Sequence, residues 1–207
     1  MKIEKIATHA DRAGRFSVRF EDQSVLRLYR QTLEDFSLYS GQELSPNEYS
    51  ALIQAAGKMS AKMRAVRIVS AASVSKKDLE QRLIHKGETP EDAAGAVSWM
   101  SDLHLLDDQR TAEQIVHRCI SKGYGVARAK QALFEKRIPK TYWDQVLEDY
   151  PDQSEAIVSF LRSRLGEEWD ERDVRRATDA LIRRGHSYHD IRRGLEQLSA
   201  DKDFLEE

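Results

Sequence analysis

The chain has 207 residues, a third of them charged, with a formal net charge of −2, so overall charge neither selects nor excludes a nucleic-acid partner. Cys119 is the only cysteine, which excludes an intrachain disulfide and a cysteine-based metal site. The apolar runs are far too short to span a bilayer, and "MKIEKIATHA" has no apolar signal core, so a cytoplasmic, non-membrane protein is expected. The balanced total hides strong blocks. Residues 60–87 carry a net +5, residues 88–117 a net −6 and residues 118–140 a net +6.

In chain order, the first 57 residues read as a small β-rich extension. "KIEKIAT" (2–8), "RFSVRF" (15–20) and "SVLRLY" (24–29) have strand patterning, the second with Phe16, Val18 and Phe20 alternating against polar residues. Ser45-Pro46 then predicts a capped short helix through Ala56, with Gly57 as a hinge.

From residue 58 the pattern becomes helical and repeats. Leu79 and Leu83 recur as Ala129 and Leu133, and again as Ala177 and Leu181, at offsets of 50 and 48 residues. Ala65, Val66 and Val69 are echoed by Ile115, Val116 and Cys119. Ala93, Ala96, Val97 and Met100 are echoed by Trp143, Val146, Leu147 and Tyr150, then by Ile191, Gly194, Leu195 and Leu198. "LIHKG", "LFEKR" and "LIRRG" end the second helix of each unit in basic residues, as the helix dipole favours. The expected fold is mainly α: three tandem three-helix repeats over 58–105, 106–150 and 151–200, in an elongated curved array, followed by an acidic tail at 201–207. In the third repeat, "SEAIVSFLRSRL" (154–165) sits about two turns further from its second helix, which predicts an insertion in that joint.

Candidates for chemistry are weak. His186 and His189 in "HSYH" lack further ligands and read as an exposed pair near a helix start. Cys119 lies on an apolar stripe and reads as a packed thiol. "KGYG" (122–125) has neither the Gly-Lys-Ser/Thr ending nor the preceding strand of a phosphate loop, and reads as a helix-to-helix turn. No nucleophile arrangement is evident, so the expectation is a non-enzyme without metal or cofactor.

The basic residues are the stronger signal. Unit one offers Lys76, Lys77, Arg82 and Lys86, and unit two offers Arg128, Lys130, Lys136 and Arg137, away from a Val126/Ala129/Leu133 stripe. Unit three offers Arg175, Arg176, Arg183, Arg184, Arg192 and Arg193. Their recurrence points to a continuous basic track for phosphates. Sparse aromatic residues argue against base stacking.

"LLDDQRTAEQIV" (105–116), following "SKKDLEQRLIHKG…AVSWMSDL", resembles the signature region of the RecX family of bacterial recombination regulators. "GYGVARAKQALFEKRI" is similar to that family's downstream segment, with Arg137 where the family usually has glycine, and "KIEKIATHADRAGRFSVRF" is similar to the β-hairpin extension of longer members. The resemblance implies a modulator that binds the filament of the RecA recombinase on DNA. Such a modulator usually inhibits strand exchange, ATP hydrolysis and stimulated repressor cleavage. A monomer with weak, sequence-independent affinity for single- and double-stranded DNA is expected. Asp107 and Asp108 are expected only to cap the first helix of unit two. Two other readings stay open: a non-specific DNA-binding module that acts without RecA, and a structural helical-repeat adaptor.

Overall fold

The computed structural model describes residues 1–166 and 169–206, with side chains through residue 200. It divides into two units, Met1–Leu106 and Asp107–Glu207.

In the first unit, β1 (Ile3–Ile6), β2 (Arg15–Phe20) and β3 (Val25–Tyr29) form an antiparallel meander in the order β1-β2-β3. Alternation fixes its faces: Val18, Phe20 and Leu28 are buried, whereas Arg19 and Arg27 are exposed. Ile3, Leu44 and Leu52 complete this core, and the Phe20 ring meets Tyr49 edge-on at 5.3 Å. After the short α1 (Arg30–Asp35), α2 (Pro46–Ala71) opens with a capping box, in which Ser45 Oγ accepts from Glu48 N–H and Glu48 Oε2 accepts from Ser45 N–H at 2.7 Å.

The helix α2 spans Pro46–Ala71 without a break, so the hinge expected at Gly57 is not there. The glycine has a packing reason instead. A Cβ at Gly57 would lie 2.6 Å from Asp92 Oδ2, so its bare backbone admits the start of the helix at Pro90–Asp102. One helix therefore serves two cores, Leu52 under the sheet and Ala61 and Ala65 in the first repeat, and residue 57 falls inside it.

The first repeat combines the end of α2 with α3 (Lys76–His85) and α4 (Pro90–Asp102). Ser75 and Thr89 cap these helices by accepting from Asp78 N–H (3.0 Å) and Asp92 N–H (3.1 Å). Leu79, Leu83, Ala93, Ala96 and Met100 are buried as the repeat pattern requires.

The second unit holds α5 (Asp108–Ser121), α6 (Val126–Glu135), a single 3₁₀ turn (Lys140–Tyr142), α7 (Trp143–Leu147), α8 (Ser154–Leu165), α9 (Glu171–Arg183) and α10 (Tyr188–Glu206). Ala129, Leu133, Ala177 and Leu181 are buried on the predicted stripe, while Val126, assigned to it, is 40% exposed because it sits at the first turn of α6. Pro139 and Pro151 bracket the third helix of repeat two, which is only five residues long. The joint between α8 and α9 has five residues, against four in each of the other two repeats, so it contains no two-turn insertion. Instead the buried face of α8 runs on to its last residue, Leu165. Residues 167–168 of that joint lie outside the described residues, as do Glu207 and the side chains of the expected acidic tail, whose backbone continues α10 to Glu206.

Candidate nucleic-acid and partner interface

The second helix of each repeat ends in the same motif. Lys86, Lys136 and Arg184 are the C-caps of α3, α6 and α9, with φ of −86°, −88° and −80°. The next residues, Gly87, Arg137 and Gly185, are left-handed at +92°, +53° and +87°. The residues after them return N–H bonds to Leu83, Leu133 and Leu181 carbonyls at 3.1, 3.0 and 3.2 Å, completing the Schellman pattern. Arg137 thus adopts the conformation that glycine has in the other two repeats. These three caps are the only cations of the predicted track that recur in all three repeats.

The remaining track residues are more dispersed. Lys76 and Lys77 occupy the exposed first turn of α3, about 15 Å along the axis from Lys86. Arg82 pairs with the buried carboxylate of Asp78 at 2.9 Å. Lys130 is exposed, whereas Arg128, about 200° round the helix from it, is half-buried and reaches Glu135 at 3.1 Å. Hydrogen bonds from Gln131 and then Arg128 hold the Glu135 carboxyl below its usual range. On α9, Arg175, Arg176 and Arg183 are exposed, with Arg176 3.8 Å from Asp173, and Arg184 lies over the Phe160 ring at 4.4 Å. Arg192 and Arg193 belong to the third helix, α10, not the second, and Arg192 pairs with Glu196 at 2.9 Å.

Within the second unit, repeats two and three meet turn to turn. Gly125 N–H donates to the Arg184 carbonyl at 3.0 Å, and a Cβ on Gly125 would lie 2.0 Å from the Gly185 carbonyl oxygen. A Cβ on Gly185 would lie 2.3 Å from Arg128 N. The contact brings Arg128 and Arg184, from different repeats, to one junction. "KGYG" is the helix-to-helix turn expected, and its glycine serves this approach.

His186 departs from its expected exposure. It is 8% exposed, with Nε2 3.0 Å from the Gly123 carbonyl, because it follows Gly185 into the junction; His189 remains exposed. Burial pushes the His186 pKa down, against the Gly123 bond, with Arg184 lowering it further and Asp190 raising it. Tyr150 closes the same joint by donating to the Tyr124 carbonyl at 2.6 Å, and burial raises its pKa to about 12. Cys119 is a packed thiol as expected, and burial pushes its pKa up despite Arg128, Lys122 and Arg118 nearby. Among the described residues, no group of three His, Cys, Asp or Glu is placed to hold a metal ion, and no helix is long and apolar enough to cross a membrane.

Asp107 is the N-cap of α5 and accepts from Arg110 N–H at 3.0 Å; Asp108 is the first helical residue and is buried. The cap thus belongs to the first aspartate, and the second packs. Arg15, Arg64 and Arg67, outside the second helices and without an expected role, line one cleft in the first unit. The only sequence signal was the +5 block containing Arg64 and Arg67.

Comparison with known proteins agrees with this repeat structure. The family model for the second three-helix domain of RecX matches residues 107–147, from the Asp107 cap to the last residue of α7. A regulatory protein RecX from Xanthomonas campestris pv. campestris (strain B100) is 30% identical over 132 residues, covering 62% of this chain and 82% of the relative. That of Clostridioides difficile (strain 630) is 22% identical over 203 residues, 95% of each chain. The match to the Vibrio campbellii protein, 30% over 93 residues, spans only 60% of that relative. A crystal structure of a regulatory protein RecX superposes with a TM-score of 0.63 over 96% of this chain and 98% of that one, at 20% identity, which supports the fold. The extent of the Xanthomonas match and the matched three-helix domain together establish that the chain belongs to the RecX family of regulatory proteins.

Proposed function

We propose that the protein regulates homologous recombination and DNA repair by binding the RecA–DNA filament, usually to inhibit its recombinase, ATPase and co-protease activities. The observation that carries this reading is a cation at the cap of the second helix in all three repeats, in a chain of this family. Three cations held by one backbone motif suit a periodic polyanion better than a single small ligand. In this reading the repeats 58–105, 106–150 and 151–200 are successive contact modules of a cytoplasmic monomer. Their basic residues take phosphates without sequence preference and their other surfaces take RecA.

The test is RecA ATPase on single-stranded DNA with substoichiometric protein. A filament regulator lowers the rate well below the amount needed to cover the DNA lattice. Inhibition only at lattice coverage would instead identify a DNA-binding module that acts by competition. No effect at any ratio would leave the adaptor reading.

A further inference from the structure

Between the sheet and the first repeat lies a cleft of about 480 Å³, lined by Arg15, Tyr29, Arg64, Arg67, Arg82 and Lys86. Strand β2 supplies Arg15, α2 supplies Arg64 and Arg67, and the C-terminal end of α3 supplies Arg82 and Lys86. Three of these cations are fixed by carboxylates: Arg15 by Asp11 at 2.8 Å, Arg64 by Glu88 at 2.8 Å, and Arg82 by Asp78 at 2.9 Å. Arg64 also donates to the Lys86 carbonyl at 2.6 Å, which pins the cap of α3 against α2.

The other two have no carboxylate partner among the described residues. Arg67 is held only by neutral oxygens, the Tyr29 hydroxyl and the Met63 carbonyl, and Lys86 is exposed. Five cations meet three carboxylates, so two positive charges are left over in a recess whose walls include Ile68 and Ala71. Low-dielectric walls strengthen the field at such a site. Arg67 retains donors in a planar fork suited to phosphate oxygens.

The charge does not end at the cleft. The register pairs Arg15 with Tyr29, Ser17 with Arg27, and Arg19 with both Val25 and Lys5. The outer sheet face therefore carries Arg27, Arg19 and Lys5, all exposed and in no ion pair among the described residues. Lys5, Arg19 and Arg27 sit on the three neighbouring strands, which lie about 4.8 Å apart, so these cations form a row across the sheet rather than a point. A lone phosphate would use the cleft and leave the row idle, whereas a strand of linked phosphates uses both. Tyr29 is buried and its hydroxyl is engaged, so it offers no stacking face for a base.

We propose that this cleft binds a phosphodiester of a single nucleic-acid strand through Arg67 and Lys86, and that the strand continues over the outer face of the sheet along Arg27, Arg19 and Lys5. The β-rich extension is then a second DNA-contacting element, distinct from the helix caps of repeats two and three. The proposal rests on the DNA-facing half of the function proposed above and needs no contact with RecA.

The test uses the full chain and a short labelled oligothymidylate, with binding followed by fluorescence anisotropy across a salt series in the absence of RecA. Arg67→Gln with Lys86→Gln should weaken binding about tenfold and reduce the magnitude of the log–log salt slope by about 1.4, two contacts at about 0.7 each. Arg19→Gln with Arg27→Gln, on the exposed sheet face, gives a second reading if the first pair disturbs folding, and should flatten the slope by a similar amount. Inorganic polyphosphate should displace the oligonucleotide, and polyglutamate at equal charge should not. Unchanged slopes in both folded variants overturn the proposal, as does displacement by polyglutamate as effective as that by polyphosphate. Because RecA is absent, a negative ATPase result alongside flattened slopes would remove the RecA reading and leave the cleft intact.

Discussion

The second helices of repeats one and three end alike and pack in opposite circumstances. Gly87 and Gly185 both stand one residue past the cap, at φ +92° and +87°, with the same return bonds to a buried leucine. Beyond Gly87 and its two chain neighbours, nothing lies within 4 Å of where its Cβ would be, whereas at Gly185 that position is 2.3 Å from Arg128 N. One glycine is there for its backbone conformation alone. The other also permits two repeats to touch through their main chains. A recurring sequence signal thus reports the local cap faithfully and says nothing about what the cap is packed against.

Substitution by alanine separates the two causes. At Gly87 only the left-handed conformation resists, a cost of about 1–2 kcal/mol. At Gly185 the same cost is joined by a clash with backbone that has no rotamer to yield, so Gly185→Ala should destabilise by about 3 kcal/mol or more. Thermal unfolding of the two variants checks this, and equal losses would show that the junction between repeats two and three yields at no cost.

The residue after each cap glycine differs too: His186 bonds the Gly123 carbonyl, whereas its counterpart in repeat one, Glu88, makes an ion pair with Arg64. Removing the imidazole leaves the Gly123 carbonyl without its partner, so His186→Ala should cost about 1–3 kcal/mol. The folded pKa lies below the ordinary value of 6.5, so the unfolded chain binds the proton more readily. The stability held by the neutral ring is complete above 6.5 and is lost as pH falls from 6.5 towards the folded value. Denaturant titrations at pH 7.5 and at about pH 5.5 should show this slope in the wild type and a shallower one in His186→Gln.

The smallest effect belongs to Arg137, which holds the left-handed position with a side chain at φ +53°. Arg137→Gly relieves that conformation and should raise stability by up to about 1 kcal/mol. A loss on substitution would mean that the arginine side chain contributes more than the strain costs.

What was legible in the sequence follows the same division. Strands β2 and β3, the Ser45 cap, and the buried Leu79/Leu83, Ala129/Leu133 and Ala177/Leu181 stripes are local or periodic, and periodicity is visible without partners. Gly57 and His186 were misread because each answers to a residue far along the chain, Asp92 and Gly123 respectively. The placement of the basic residues was only partly legible. The caps Lys86, Lys136 and Arg184 recur in structure as in sequence, but Arg82 and Arg128 are engaged by carboxylates, and Arg192 and Arg193 fall on a different helix. Arg15 left no sequence signal and Arg67 only the charge of its block, because the cleft cations come from a strand and a helix that converge only in the folded chain.

In the proposed function, basic residues of the repeats face DNA phosphates while other surfaces hold RecA. Its most direct measurement replaces Arg128, Lys130, Lys136 and Arg137 together by glutamine and compares binding to RecA–DNA filaments and to naked single-stranded DNA across a salt series. The variant should fold, because none of the four side chains belongs to the buried leucine stripe. Filament binding should weaken but stay measurable, and naked-DNA affinity should fall further, with each lost contact flattening the slope by about 0.7. Equal proportional losses on both targets would indicate DNA binding alone, and unchanged affinity and slope on both would contradict the claim.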